Sequence, residues 1–293
     1  MHTKAAGRKR RWSLFDVVNT IFLVLLSAIF LYPLLMTLGL SFSSAKELVG
    51  KNVILMPIGF SLQSYQTILA DPAILRYYLN TILYAGTGTI TSLLLTSLMA
   101  YPLTVSEFKG KKVINVLLLI TMFFGGGMIP TYLTIRNLHM IDTLWAMILP
   151  GAISAWNVIM FVNFFKEIPA SLRESATIDG AGHVRILFAI VIPLSKALLA
   201  TIALFTIVGF WNDYFNAMLY LDSTTKMPIQ IFLRKILVNM EINRGNTQDT
   251  DMSRLLDMIN ANPRTVKAAA TIITIIPILC VYPFLQKYFT KGM

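Results

Sequence analysis

Long apolar runs alternate with short polar interruptions along the chain. The first run, Leu14 to Leu40, follows a basic tail over residues 1–13 that holds Lys4, Arg8, Lys9, Arg10 and Arg11. This run is too long for a signal-peptide core, and no small-residue cleavage pattern follows promptly. An uncleaved transmembrane helix kinked at Pro33 is predicted. Residues 41–76 read as an external segment punctuated by Pro57, Gly59 and Pro72. A second helix is predicted over Leu79–Leu103. Its Gly86, Thr87, Gly88, Thr91 and Ser92 suit close helix packing. After a short lysine-bearing loop, Glu107–Lys112, a third span starts near Val113 and is interrupted by Gly125–Gly127 and Pro130. Irregular backbone at membrane depth persists only where protein or a water-filled cavity surrounds it. A loop over Arg136–Asp142 leads to a fourth span, Leu144–Phe165, with Pro150 in its first part.

The stretch from Phe165 to Pro193 is the richest polar interruption among the later runs. Ser171-Leu172-Arg173-Glu174 fits a capping box, with Ser171 at the N-cap. Gly180 tolerates the left-handed conformation that stops a helix. A separate helix of about two turns is therefore predicted over Leu172–Asp179. Helical spacing places Leu172, Ser175, Ala176 and Asp179 on one side of it. The small residues Ser175, Ala176, Gly180, Ala181 and Gly182 leave room for a partner surface to approach the backbone. A fifth span is predicted over Pro193–Leu221. The longest hydrophilic stretch follows over 222–267, with turns at Asn243–Asn246 and Asn260–Pro263 and helical pieces around Pro228–Asn239 and Ser253–Ile259. A last span, Ala268–Leu285, leads to a tail over 289–293.

Composition narrows the class. Of 293 residues, 56% are hydrophobic and only 13% charged, against about 25% charged in soluble domains. An all-α integral membrane protein with six transmembrane helices follows. The basic residues at both ends and in the 105–112 loop place both termini in the cytoplasm. The net charge of +11 is scattered over loops and not gathered on one soluble domain, which argues against a nucleic-acid binder. The single Cys280 allows no disulfide within the chain.

The chemistry is that of a path, not of an active site. No G-x-x-x-x-G-K-[ST] phosphate loop and no G-x-S-x-G elbow occur, and His2, His139 and His183 form no metal-ligand spacing. No internal repeat supports a secondary transporter built on inverted halves. Asp213 lies inside the predicted fifth span, and an ionisable residue there is a functional candidate. Trp211 and Tyr214 are suited to stacking on sugar rings, and Asn212, Asp213 and Asn216 to bonding hydroxyls. The alternative is that Asn212 and Asp213 only brace helix packing. Asn157 on the fourth span is a further candidate for the path.

Glu174-Ser175-Ala176, three residues, Gly180, nine residues, then Ile190-Val191-Ile192-Pro193 resembles the EAA loop of ABC importer permeases, with Ser175 for the first Ala and Ile192 for Leu. Ile178-Asp179-Gly180-Ala181, Ser61–Tyr65, Asn80-Thr81-Ile82 and the W-N-D-Y run are similar to the carbohydrate-uptake branch. The resemblance implies the type I importer permease fold, with a permease core over 77–288. It implies that the loop over 166–190 is a coupling loop. Leu172, Arg173, Glu174, Ser175, Ala176, Asp179, Gly180 and Ala181 would then meet a separate ATPase. The implied partners are a second permease subunit, two copies of a cytoplasmic ABC ATPase, an extracytoplasmic sugar-binding protein and membrane lipid. The chain itself would bind no cofactor, since ATP and Mg would sit on the ATPase subunits. Residues 239–262 would reach the binding protein or form a solvated cap. The expected cargo is an oligosaccharide, with an acidic one such as alginate the leading expectation, carried across a bacterial cell membrane. A non-sugar solute and an ATPase-independent channel stay open as alternatives.

Overall fold

The computed structural model describes residues 13–48, 50–242 and 263–289. The basic tail over 1–12, the turns and helical piece expected within 243–262, most of the expected reaching segment 239–262, and residues 290–293 lie outside them. The chain divides into two compact units, Met1–Ala70 with Asn246–Ile272, and Asp71–Gly245 with Ile273–Met293.

In the first unit, α1 (Leu14–Ser41) starts at a true capping box. The Ser13 hydroxyl accepts from the Asp16 N–H at 3.2 Å, and the Asp16 carboxylate accepts from the Ser13 N–H at 3.1 Å. This satisfies two of the donors that a helix start leaves open. Pro33 is contained within α1 without ending it. None of its most apolar window is buried, so this face is made for lipid or another chain. Gly39 lies where a Cβ would fall 2.6 Å from the Leu55 carbonyl oxygen, so the returning segment needs a glycine there. The segment after α1 folds back through an isolated bridge between Ser43 and Phe60. It then forms α2 (Gln63–Leu69). The Ser64 hydroxyl donates to Thr265 Oγ1 at 2.9 Å. The last helix covers Pro263–Phe289, so it starts five residues before the expected Ala268. The polar sequence before Ala268 is therefore partly the first turn of a helix and not loop.

The second unit is organised around α3 (Ala73–Ala100). It starts six residues before the expected Leu79 and is extended by a 3-10 turn at Pro102–Thr104. Then come α4 (Lys111–Phe123), α5 (Met128–Asn137), α6 (Leu144–Ile148), α7 (Ala155–Glu167) and α8 (Ala170–Ile178). The fifth predicted span is broken twice. α9 (His183–Ile186), a π-turn at Leu187–Val191 and α10 (Ile192–Leu194) lead into it, so the helical path starts ten residues before the expected Pro193, and α11 (Lys196–Asn212) and α12 (Phe215–Tyr220) complete it. Finally α13 (Ile229–Ile242) forms where the hydrophilic stretch was expected to hold a helical piece around Pro228–Asn239, and runs three residues further. It buries Ile229, Ile231, Phe232 and Ile236 and packs on α3.

Three helical stretches are each long and apolar enough to cross a membrane alone: Leu14–Ser41, Ala73–Thr104 and Pro263–Val281. Three bent pairs reach that length only together. The α4–α5 pair bends by 117°, the segment from α6 to α7 by 57°, and the segment from α9 to α11 by 82°. Counting each bent pair as one span gives six. The breaks fall at Gly125–Gly127, near Pro150 and just after Pro193. These are the positions where a missing N–H or a positive φ interrupts the helical ladder. Gly127 has φ +84°.

α3 and α11 pack most extensively, and Gly88 makes that possible. A Cβ there would sit 2.5 Å from the Phe210 ring. Gly86, by contrast, faces open space. At the α8 end of the unit, a core cluster includes Leu103, Phe161, Phe165, Ile186 and Leu187. Towards the other end, Tyr84, Met147, Ala217, Leu221 and Ile231 form a smaller one.

Candidate functional site

α8 differs from its sequence reading at the start and agrees with it at the end. The helix begins at Ala170 after Pro169, and no side chain caps it. Ser171 is therefore a first-turn residue and not the N-cap, and Glu174 closes no capping box. Pro169 causes the shift, because its fixed backbone is compatible with the edge of a helix and the chain enters α8 directly after it. The C-terminus is a Schellman stop. Ala181 N–H donates to the Ala176 carbonyl at 2.9 Å and Gly180 N–H to that of Thr177 at 3.0 Å, with Gly180 at φ +80°. Asp179 is the C-cap.

No residue of α8 is buried, and Ile178 is 86% exposed. Ala176 and Ala181 nonetheless rest against the core cluster. Arg173 Nη1 donates to Thr104 Oγ1 at 3.2 Å, tying α8 to the turn after α3. Leu172, Ser175, Ala176 and Asp179 do share one side. With Ala189, Ile190, Pro193 and Leu194 they line an open depression of about 410 Å³. The structure thus gathers both halves of the 174–193 pattern around one hollow. Glu174 itself lies outside that lining.

The second site is a cavity of about 270 Å³ lined by Ser92, Gly151, Asn157, Phe205, Thr206, Gly209, Phe210 and Asp213. It brings together Asn157 and Asp213, which are far apart in sequence. Asp213 is not inside a continuous helix, as expected, but at the break between α11 and α12. Its carboxylate accepts from the Asn216 N–H at 3.0 Å and from Asn216 Nδ2 at 2.8 Å. Asp213 is among the residues that line the cavity, and these bonds tie it to the first turn of α12. Asn216 is occupied by this role.

Trp211 does not offer a stacking face. It is 5% exposed, its indole N–H donates to the Thr274 carbonyl at 3.1 Å, and its ring lies beside Tyr78. An indole buries more apolar area than any other ring here once its N–H has an acceptor. Asn212 and Tyr214 are exposed. Asn212 donates to the Val208 carbonyl at 2.9 Å and accepts from Gln230 Nε2 at 3.2 Å.

Sequence reasoning missed a polar knot outside the spans. Asp142 adopts φ +57°. Its carboxylate accepts from the N–H groups of Asp222 and Ser223, from the Ser223 hydroxyl, and from Lys226 Nζ at 2.7 Å. The Lys226 and Ser223 bonds hold its carboxyl well below the usual carboxylate range. Asn80 Nδ2 donates to the carbonyls of Thr225 and Met227, and the Tyr84 hydroxyl to that of Lys226. No spacing rule links Asp142 to Ser223 and Lys226, which lie more than 80 positions away. Among the described residues no cluster suited to a metal ion occurs.

Comparison with known proteins agrees with this architecture along the whole chain. Protein LplC of Bacillus subtilis is 41% identical over 295 residues, covering 100% of this chain and 96% of that protein. The polygalacturonan/rhamnogalacturonan transport system permease protein YtcP of the same organism is 41% identical, covering 95% and 96%. A chain from a crystal structure of a bacterial ABC transporter involved in the import of the acidic polysaccharide alginate superposes with a TM-score of 0.85. Its identity is 34%, with 98% of this chain and 100% of that chain covered. The family model described as binding-protein-dependent transport system inner membrane component matches residues 5–293, and the chain belongs to that family.

Proposed function

We propose that the chain is one of two permease subunits of an ABC importer that takes oligosaccharides from a solute-binding protein and moves them inward. In this reading α8 is the coupling helix, and Leu172, Arg173, Glu174, Ser175, Ala176, Asp179, Gly180 and Ala181 form or support the surface met by one of two ATPase subunits. ATP and Mg bind on those subunits, and this chain supplies no cofactor of its own. Both termini face the cytoplasm, on the α8 side. The observation that carries the proposal is the mounting of α8. An exposed helix with a defined stop rests two alanines on the core that also holds α7, α9 and the start of α11. A displacement of α8 is thereby transmitted to spans that line the cavity.

The cargo reading rests on the relatives, one named for polygalacturonan and rhamnogalacturonan and one for alginate. A cavity lined by Ser92, Asn157, Thr206 and Asp213 suits hydroxyl-rich cargo, since each offers a polar atom to a sugar. The test is reconstitution of this chain in liposomes with its partner permease, ATPase and binding protein. ATP-dependent uptake of labelled uronate or neutral oligosaccharides is expected. Uptake without ATP, or failure with every oligosaccharide, refutes the proposal.

A further inference from the structure

Beyond the cavity, α13 contributes a second set of groups beside the α11–α12 break. Gln230 and Arg234 are four residues apart, so they share one helical face, while Ile229, Phe232 and Ile236 are buried on the other. Gln230 Nε2 reaches Asn212 Oδ1 at 3.2 Å. The Arg234 guanidinium lies over the Tyr214 ring, 5.8 Å from its centroid, within cation–π range. Tyr214 is 44% exposed and directly follows Asp213, one of the residues that line the cavity. Arg234 is exposed, and among the described residues it forms no ion pair. A planar cation thus stands over an exposed aromatic ring, one residue along the chain from the cavity-lining Asp213.

We infer that Tyr214 and Arg234, with the Gln230–Asn212 amide pair, form a lip subsite that recognises the carboxylate of a uronate sugar. The inference rests on the oligosaccharide reading above. The chemistry is specific on both counts. A guanidinium fork matches a carboxylate in a bidentate fashion that lysine cannot reproduce. The apolar face of a pyranose ring suits the free part of the Tyr214 ring, as with other amphipathic aromatic contacts. The charge arrangement sorts the cargo as well. Asp213 is the one acidic side chain among the cavity's lining residues, so a sugar carboxylate is better placed at Arg234 than inside. A uronate oligomer would then enter with hydroxyls towards Asn157 and Thr206 and a carboxylate held at Arg234.

The test compares wild type, Arg234→Gln and Arg234→Lys in the full reconstituted transporter with saturating loaded binding protein. The readout is the ratio of uptake of trigalacturonate to that of its carboxyl-reduced counterpart, galactotriose. Arg234→Gln should lower that ratio about tenfold, the scale of one charge-assisted hydrogen bond, chiefly through KM. Arg234→Lys should fall between. Because Arg234 is exposed, thermal midpoint and basal ATP hydrolysis should match wild type. An unchanged ratio, or equal loss on both sugars as for a docking role towards the binding protein, overturns the subsite. Wild-type complex that transports neither sugar would instead remove the oligosaccharide reading itself.

Discussion

Gly180 and Gly182 stand two residues apart in one loop, and replacing each by alanine should have opposite consequences. At neither position would a Cβ meet an atom within 4 Å, so crowding plays no part in either variant. The backbone differs. Gly180 has φ +80°, whereas Gly182 has φ −72°. An L-residue in the left-handed region costs about 1–2 kcal/mol. Alanine at a compatible φ instead stabilises by about 0.4–1 kcal/mol through the unfolded chain. Gly180→Ala should therefore weaken the Ala181-to-Ala176 and Gly180-to-Thr177 bonds and raise local opening roughly 5–30-fold. α8 buries no residue, so the global thermal midpoint should stay within a degree or two. Amide hydrogen exchange at 180 and 181 should accelerate in Gly180→Ala and not in Gly182→Ala. If α8 couples to the ATPase, Gly180→Ala should also lower sugar transported per ATP hydrolysed, and Gly182→Ala should leave it unchanged. Equal behaviour of the two variants, in exchange or in coupling, would refute the reasoning.

Three further outcomes follow from the geometry. Glu174→Lys, on an exposed helix, should leave folding unchanged yet abolish coupled uptake in the reconstituted complex; normal uptake would count against the α8 assignment. Gly88→Ala should push the Phe210 ring from its seat into the cavity, cost about 1–3 kcal/mol and slow uptake. Adding Phe210→Ala should restore much of the loss in a double-mutant cycle, since the clash is with that ring. Asp142→Ala should lower stability by about 1–2 kcal/mol, measured as a shift in thermal midpoint, because several donors lose a partly exposed acceptor. The folded-state carboxyl titrates below its unfolded value, so its contribution is fully present above about pH 4 and is lost only as pH falls towards the folded value. Between pH 6 and 8 the wild type and variant curves should run parallel.

The spans were legible because burial in lipid imposes a composition no other environment requires. The breaks were legible too, since Gly125–Gly127, Pro150 and Pro193 each remove what a helix needs. Within these limits local signals misled where the preceding residue decided the outcome. Ser171-to-Glu174 has the letters of a capping box, but Pro169 starts the helix sooner. Ser13-to-Asp16 forms a real one that passed unread, with Asp in place of Glu. α13 was legible as a helical piece around Pro228–Asn239, although Gln230, Arg234 and Lys235 made it look solvated and gave no sign of the face that Ile229, Phe232 and Ile236 bury against α3. In the candidate path, Asn157 and Asp213 were visible as polar residues in apolar runs. Trp211 was misread because only the fold shows its N–H bonded to the Thr274 carbonyl. The contributions of Phe205, Thr206 and Gly209 to the cavity depend on the rotation of α11 against α3, which no local pattern encodes.

The 82° elbow just after Pro193 turns α11 into a lever. Its 17 residues make an arm about 25 Å long at ~1.5 Å per residue. The short end of the lever, from His183 to Leu194, borders the hollow beside α8, and the long end carries Phe210 and Asp213. A swing of roughly 10° at the fulcrum carries the tip about 4 Å, more than the width of a hydrogen bond. Under the proposed coupling role of α8, a push of ångström size at the hollow would become a shift at Asp213 large enough to make or break a hydrogen bond.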